Sequence, residues 1–212
     1  MEGNYCMQNI YLHGLGQNSS SWDKTITYFT KQDHVLCPEL FSLCTEIRLT
    51  YKSLYQAFSA YCDSISDPVN ICGLSLGAVL ALNYTIDHPE KVKSLILIAA
   101  QYKMPKTLLK FQNIVFKFMP ESTFKNMGLK KKEVIELTNS MTELNFTDSL
   151  KAITCPVLVV CGAKDHANIK SAKYLAENIK KADLQIIGNS GHEVNMDAPE
   201  RLGKIVDKFF NR

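Results

Sequence analysis

The sequence lacks the features that mark several specialised classes of protein. Its 212 residues contain no apolar run near the roughly 18 residues of a membrane-spanning helix, and the longest run, residues 95–100, has the length of a strand. No basic segment followed by an apolar stretch opens the chain, so we expect no signal peptide. The net charge of +3 is too small to indicate nucleic acid or an acidic membrane surface as a partner. These absences favour a cytoplasmic protein without a membrane span.

The cysteines follow no recognisable pattern. Seven is an odd number, which excludes a complete disulfide framework, and no C-x-x-C occurs. Cys72, Cys155 and Cys161 lie in or beside apolar runs, as buried hydrophobic residues do. The other cysteines are scattered without metal-ligand spacing, so the sequence predicts no metal site.

What is present is the composition of a globular protein, with 46% hydrophobic and 21% charged residues. Short apolar runs alternate with stretches of helical periodicity. The predicted strands are residues 9–12, 35–37, 69–72, 93–100, 157–161 and 183–187, and the predicted helices between or after them include 53–65, 78–86, 169–180 and 198–210. Strands joined by helix-length crossovers indicate an α/β fold with a mostly parallel sheet of about six strands and helices on both faces.

The start of the last predicted helix carries a sequence signal of its own. Pro199 suits a first helical turn, and Asp197 with Glu200 fits the D-x-x-E capping box. We therefore expect Asp197 to be the N-cap of the last helix.

Residues 101–150 interrupt the alternation of strand and helix. They contain two helical patterns, around 108–119 and 134–141, and no strand-like run. About 50 residues make a poor core of their own. We therefore expect a helical cap inserted into a core formed by residues 1–100 and 151–212.

The composition of the predicted cap allows two interpretations. Its Phe and Met residues either pack the cap onto the core or line the mouth of a pocket, and eight lysines against five acidic residues give either a solvated face or an attraction for anionic substrates. The residues concerned are Phe111, Phe116, Phe118, Phe124, Phe146, Met104, Met119, Met127 and Met141.

The motif Gly73-Leu74-Ser75-Leu76-Gly77 joins a predicted strand directly to a predicted helix. A bare G-x-S-x-G arises by chance, and an incidental serine in a glycine-rich turn is the alternative. The strand–turn–helix context favours a nucleophile elbow, in which glycines make room for a strained turn and the helix N-terminus faces developing negative charge. Ser75 is therefore the candidate nucleophile.

A serine nucleophile needs a base and an orienting acid. His192 lies in a loop between the last predicted strand and helix, and Asp165 lies just past the end of the preceding strand. Ser75, Asp165 and His192 would all follow carboxyl ends of parallel strands, where such sheets place their sites. His166 is a reserve base, and Gln101 leaves no acid at the end of the strand 93–100.

The segment from His13 to Gln17 follows the first predicted strand. Its small residues would let the backbone approach a substrate, so that the Leu15 N–H, with the Leu76 N–H after the serine, could form an oxyanion hole. We interpret the side chain of His13 as structural.

With these pieces placed, the chain resembles the α/β-hydrolase superfamily, and most closely its compact esterase-like members with a helical cap. The resemblance runs from Ile10 to Phe210 and rests on the H-G turn, the elbow, the acid loop and Gly191-His192. It departs from the family at the start, because the usual first β-hairpin is missing or vestigial, and residues 1–8 could supply at most a short strand.

The resemblance implies a serine hydrolase that acts on small acyl or aryl esters or thioesters through an acyl-enzyme, with Ser75, His192 and Asp165 as the triad and no metal or organic cofactor. Its expected partner is a small ester-like substrate; the sequence does not indicate an oligomeric state. The alternatives are a carbon–carbon bond hydrolase or lyase, a perhydrolase, and a non-catalytic ligand-binding member. Only three arginines occur, and none lies in residues 101–150, which counts against the polyanionic substrates of the carbon–carbon bond enzymes.

Overall fold

The computed structural model describes residues 7–32, 34–125 and 128–212 and contains the predicted parallel sheet. Six strands pair in parallel, in the order β2-β1-β3-β4-β5-β6, which confirms the α/β fold class. The strands are β1 (Asn9–Leu12), β2 (Val35–Leu36), β3 (Val69–Leu74), β4 (Val92–Ile98), β5 (Val157–Gly162) and β6 (Ala182–Ile187).

The helices follow the strands as crossover connections, with short helical turns in the loops. They are α1 (Asp23–Ile26), α2 (Leu40–Leu43), α3 (Tyr51–Asp63), α4 (Leu76–Asp87), α5 (Lys106–Phe118), α6 (Glu121–Lys125), α7 (Lys131–Ser140), α8 (Ile169–Asn178), α9 (Val194–Asp197) and α10 (Pro199–Phe210). Since the strands are parallel, their carboxyl ends all lie at one edge of the sheet. In the part of the chain that the structure describes, no helix combines the length and the apolar character needed to cross a membrane.

Two hydrophobic clusters cover the two faces of the sheet. On one face, Ile71 and Leu97 of the central strands pack in a cluster with residues of α3, α4 and α8. On the other face, Cys72 and Ile96 pack in a cluster with Trp22 and residues of α10. The central strands read as continuous apolar runs because they are buried on both faces.

The segment 101–150 contains α5, α6 and α7, and a single antiparallel bridge between Lys103 and Asn145 closes its base. Phe124, Val134 and Leu137 are fully buried and belong to the same cluster as the core. Phe124 therefore has the first of the two roles that the composition allows, which is to pack the segment onto the core. The division into a core and a cap stays a prediction.

The other Phe and Met residues of the segment are placed differently. Phe146, Met104 and Met141 are buried, whereas Phe116 and Met119 are half-buried against the same cluster. Phe118 is 86% exposed. The side chain of Phe111 and the whole of Met127 lie outside the described residues, as do residues 1–6 of the suggested first strand.

The predicted capping box at the start of the last helix is wrong. Helix α10 begins at Pro199 as expected, but its N-cap is Ala198, and no side chain caps it. Asp197 instead ends the short helix α9, and its Oδ2 accepts a hydrogen bond of 2.6 Å from the N–H of Gly191. The carboxylate therefore holds the loop that carries His192.

The approach of α4 to β1 depends on Gly77. A Cβ on Gly77 would lie 2.5 Å from the carbonyl oxygen of Leu12. Alanine for glycine in a helix usually gains about 1 kcal/mol, but overpacking typically costs about 1–3 kcal/mol or more. We expect Gly77→Ala to lower the free energy of unfolding by roughly 2 kcal/mol, measured by urea denaturation.

The matched control is Gly188→Ala, in the exposed turn after β6. Its Cβ would meet nothing nearer than Arg201 at 3.7 Å, so we expect a change within about 0.5 kcal/mol. Equal stability of Gly77→Ala and the unaltered protein would contradict the proposed contact between α4 and β1.

Candidate active site

Ser75 occupies a strained turn between β3 and α4. Its φ of 54° and ψ of −113° lie outside the regions that residues with a side chain usually adopt. The Ser75 N–H donates to the carbonyl of Ile98 on β4 (2.9 Å), and the N–H of Val79 donates to the carbonyl of Ser75 (3.0 Å). These bonds hold the turn at the carboxyl edge of the sheet.

Glycines on both sides of the serine make the turn possible. A Cβ on Gly73 would lie closer to the backbone of Gly77 than the 3.0 Å that real Cβ atoms keep. Because α4 begins immediately after the serine, its first N–H groups lack intrahelical acceptors. The Leu76 N–H is one of them, and the positive end of the helix dipole lies beside the Ser75 side chain.

Asp165 lies in the tight turn after β5, where the sequence predicts it. Its carboxylate is 6% exposed and accepts hydrogen bonds of 2.8 Å at both oxygens from the side-chain amide of Asn168. The turn meets the loop of the next strand at close range. A Cβ on Gly162 would collide with the carbonyl of Gly191, and the Lys164 N–H donates to the carbonyl of Ser190 (2.9 Å).

His192 lies on that neighbouring loop, between β6 and α9. Its Nδ1 is 2.9 Å from Oδ2 of Asp165, so the structure brings the predicted base and acid together. With a proton on Nδ1, the ring donates to the carboxylate and leaves Nε2 available as a base. The side chain is 44% exposed, and within the described part of the chain no hydrogen bond joins it to Ser75. Catalytic hydrogen bonds are often longer without substrate.

The electrostatics of the acid favour its charged form. Burial acts to raise the pKa of Asp165, but hydrogen bonds from His192 and Asn168 outweigh it and hold the pKa below its ordinary value. The carboxylate is therefore charged at neutral pH and can orient the imidazole.

The loop after β1 lies against the serine. A Cβ on Gly14 would be 3.4 Å from Cβ of Ser75 and 2.9 Å from the side chain of Leu74. The N–H of Gly14 faces Oε1 of Gln17 at 3.4 Å, and the carbonyl of Gly14 accepts from the N–H of Gln17 at 3.2 Å. Leu15 is the next residue of this turn, and its approach to the serine stays a prediction.

The side chain of His13 is completely buried, as a structural role requires. Its Nδ1 lies 3.0 Å from the carbonyl of Gly14, and its Nε2 lies 3.2 Å from the N–H of Leu40. Burial lowers the pKa of His13, although the Gly14 carbonyl and the Glu39 carboxylate act in the opposite direction. Nε2 also lies 3.0 Å from Oε1 of Glu39, so the ring connects the turn at Gly14 to the start of α2.

A buried pair of amides links the loop after β1 to the loop of His192. Gln17 Nε2 donates to Oδ1 of Asn195 (3.2 Å), and Asn195 Nδ2 donates back to Oε1 of Gln17 (3.3 Å). Asn195 Nδ2 also donates to the carbonyl of Ser21 (3.1 Å). The loops that carry Leu15 and His192 are therefore held together by side chains 178 residues apart in sequence.

Sequence reasoning missed three of these contacts: Asn168 on the acid, Asp197 on the histidine loop, and the Gln17–Asn195 pair. No sequence motif indicates the hydrogen bonds of Asn168 or of the amide pair. The spacing of Asp197 to Glu200 favours a helix cap instead of the contact with Gly191. The reserve base His166 is exposed, and no hydrogen bond of its side chain is found among the described residues. The same residues contain no group of three or more His, Cys, Asp or Glu that could hold a metal ion.

A cavity of about 440 Å³ opens between the segment that follows β2 and the segment 101–150, and Ser75, Asp165 and His192 are absent from its described lining. Its size lies within the range of small-molecule pockets. It is lined by Asn18, Phe41, Leu49, Leu129 and others, and its charged lining residues are Glu39, Glu46 and Glu133. Lysine and arginine are absent from this described lining, so the positive charge of the segment does not face this cavity.

Comparisons with known proteins agree with the geometry. A profile of the alpha/beta hydrolase family matches residues 10–204. The chain is 21% identical to (E)-2-((N-methylformamido)methylene)succinate hydrolase of Acinetobacter baylyi, over 94% of this chain and 89% of that protein. It is 23% identical to the monoacylglycerol lipase ABHD6 of Mus musculus, over 94% and 74%. An esterase structure from Thermogutta terrifontis has the same fold, with a TM-score of 0.76 and 18% identity over 97% of this chain and 90% of that one.

The lowered pKa of Asp165 predicts a pH-dependent contribution to stability. A depressed pKa stabilises the folded state above the unfolded-state value of about 4, and this contribution is lost as the pH falls through the lower folded-state value. We therefore expect Asp165→Asn to be less stable than the unaltered protein at pH 7, with the difference shrinking below about pH 4. Urea denaturation at pH 7, 5 and 3.5 measures it.

The control for this series is Asp67→Asn, which changes an exposed carboxylate in the loop before β3. We expect its stability to follow that of the unaltered protein at each pH. A constant difference between Asp165→Asn and the unaltered protein down to pH 3.5 would show that the charge of Asp165 contributes nothing to stability.

Proposed function

The chain belongs to the alpha/beta hydrolase family, and from this membership we propose that the enzyme is a serine hydrolase that cleaves small carboxylic esters or thioesters. One observation carries the proposal: a serine in a strained turn at the start of α4 shares a sheet edge with a histidine hydrogen-bonded to a buried carboxylate. Three groups of these types at the carboxyl ends of β3, β5 and β6 match the order Ser–Asp–His of this fold.

In the proposed mechanism, Nε2 of His192 takes the proton of Ser75 as Oγ attacks the carbonyl carbon of the ester. The N–H groups of Leu15 and Leu76 stabilise the oxyanion, and Asp165 stabilises the imidazolium. The alcohol or thiol leaves with the proton from His192. Water then attacks the acyl-enzyme with His192 again as the base, which releases the acid and restores the Ser75 hydroxyl.

The proposed substrate class rests on the family and on the three side chains rather than on a cavity, because Ser75, Asp165 and His192 are absent from the described lining of the 440 Å³ cavity. We further propose that residues 101–150 act as a cap over the carboxyl edge of the sheet.

One relative provides a reason to keep a second candidate. The Acinetobacter baylyi relative is named for a succinate-type substrate, so hydrolysis of a polyanionic substrate with cleavage of a bond other than an ester is the alternative. Against it, Arg48 is the arginine that reaches the segment 101–150, and its guanidinium forms an ion pair with Glu136.

The nucleophile is tested with a fluorophosphonate probe and short-chain p-nitrophenyl esters. We expect one labelled serine and measurable turnover, both abolished in Ser75→Ala, because no other group replaces the attacking oxygen. Ser64→Ala, in the exposed turn before β3 at the opposite edge of the sheet, should keep both. Unlabelled, inactive protein with a native unfolding transition would reject the hydrolase proposal.

The role of the acid is tested with Asp165→Asn. An amide at this position can donate to Nδ1 of His192 and so favour the tautomer with the proton on Nε2, which cannot act as a base. We expect kcat to fall by a factor of roughly 10³–10⁴ while the fold is kept. Turnover within tenfold of the unaltered enzyme would assign the acid role to another residue.

A further inference from the structure

The side chains of Asn168 and Gln101 extend the chain of hydrogen bonds that joins His192 to Asp165. Asn168, which is 6% exposed, donates from Nδ2 to both oxygens of Asp165 at 2.8 Å. Its own Oδ1 accepts a hydrogen bond of 2.7 Å from Nε2 of Gln101, at the carboxyl end of β4. The same Nε2 donates to the carbonyl of Ala167 at 3.3 Å. The line therefore runs from a backbone carbonyl to the imidazole.

The backbone carbonyl at one end determines the direction of every bond in this line. A carbonyl can only accept, so Gln101 must present its NH₂ group to Ala167. Both N–H bonds of Gln101 are then used, the second toward Oδ1 of Asn168. If the Asn168 amide were reversed, its oxygen would face the Asp165 carboxylate and its NH₂ would face the NH₂ of Gln101. Both contacts would be repulsive.

We propose that Asn168 and Gln101 are positioning residues of the catalytic site, which act through Asp165 to keep His192 in the tautomer that has its proton on Nδ1. This inference rests on the proposed function and adds to it two residues that touch neither the substrate nor the nucleophile. Asn168 saturates the carboxylate with donors, and Gln101 keeps the donors of Asn168 pointing at it.

The fixed orientation matters because Asn168 is also close to the histidine. Its Nδ2 lies 3.1 Å from Nδ1 of His192. Were the imidazole to move its proton to Nε2, Asn168 could donate to the bare Nδ1 and stabilise the inactive tautomer. Asp165 prevents this by holding Nδ2 with both of its oxygens while it accepts from Nδ1–H.

Gln101 is also the first residue of the segment 101–150. The next residue, Tyr102, stacks on Tyr174 of α8 with ring centroids 4.1 Å apart and an interplanar angle of 11°. Helix α8 begins directly after Asn168. The hydrogen bond and the stacked rings therefore fix the base of the segment against the loop of the catalytic acid.

The experiment compares Asn168→Leu and Gln101→Leu with the unaltered enzyme. Leucine keeps the size of asparagine and removes its hydrogen bonds. We expect Asn168→Leu to lower kcat by roughly tenfold or more with KM within about twofold, since a lost hydrogen bond to a charged group is a large effect. Gln101→Leu should change kcat in the same direction by less. Asn178→Leu, an exposed position on the same helix α8, is the matched control and should behave as the unaltered enzyme.

The pH profile separates positioning from a general loss of structure. Without the amide donors of Asn168, the Asp165 carboxylate is no longer held opposite Nδ1 and stabilises the imidazolium less, so the acid limb of kcat/KM should move to lower pH in Asn168→Leu. Asn168→Asp, which adds a second carboxylate, should move it to higher pH. The titratable groups that face Asp165 are His192 and the thiol of Cys161, and the thiol pKa is raised to about 11 mainly by burial, which removes it from this range. An unchanged acid limb with unchanged kcat in both leucine variants would overturn the proposal, as would a change confined to KM.

A spectroscopic measurement keeps the proposal testable apart from activity. The ring ¹⁵N resonances of His192 report its tautomer in the whole protein, whether or not it hydrolyses esters. We expect the Nδ1–H form in the unaltered protein and in Asn178→Leu, and a mixture with the Nε2–H form in Gln101→Leu and Asn168→Leu. If esters are not cleaved but the tautomer shifts as stated, the proposed function fails and the positioning role holds. The same tautomer in all four proteins would overturn the role itself, and Gln101→Leu decides the matter if Asn168→Leu does not fold.

Discussion

The site depends on backbone segments that approach each other without room for a side chain. At Gly73, Gly77 and Gly162 an added Cβ would come within 2.5 Å of another backbone segment or closer. The first contact closes the strained turn of Ser75 between β3 and α4, and the second brings α4 against β1. The third brings the turn of Asp165 against the loop of His192. Because the polar groups act only at hydrogen-bond distances, these contacts are the condition for every other feature of the site.

Apolar packing and polar contacts have separate tasks in this structure. The two hydrophobic clusters hold the sheet and its helices together and so fix where each loop begins. Within the loops, orientation comes from side chains that bind backbone groups: Asp197 binds Gly191, His13 binds Gly14, and Asn195 binds Ser21. Each of these partners is a backbone group whose role as donor or acceptor is fixed, so the side chain opposite has only one favourable orientation.

The sequence predicts the parts of the structure that depend on local patterns. Apolar runs predict all six strands to within about two residues at most ends. The signal is clearest for β3 and β5, which are buried along their whole length. The elbow and the loops of Asp165 and His192 were recognisable because each follows a strand end. The contacts of Asn168 with Gln101 and His192 were not, because they depend on which loops become neighbours once the strand order is set.

Asp197 shows how a local signal can mislead. Its spacing to Glu200 is that of a capping box, but a short helix, α9, ends at Asp197, and the carboxylate turns back to Gly191. The pattern marks the start of α10 correctly but does not show which backbone groups lie near Asp197.

The open position of His192 has a consequence for the second half of the proposed reaction. A side chain that is 44% exposed receives its second nucleophile from the solvent rather than from a closed chamber. Water then competes for the acyl group on Ser75 with any small alcohol, thiol or amine that reaches the same imidazole. In the proposed reaction, the ratio of hydrolysis to acyl transfer would therefore follow the concentrations of these acceptors around the enzyme.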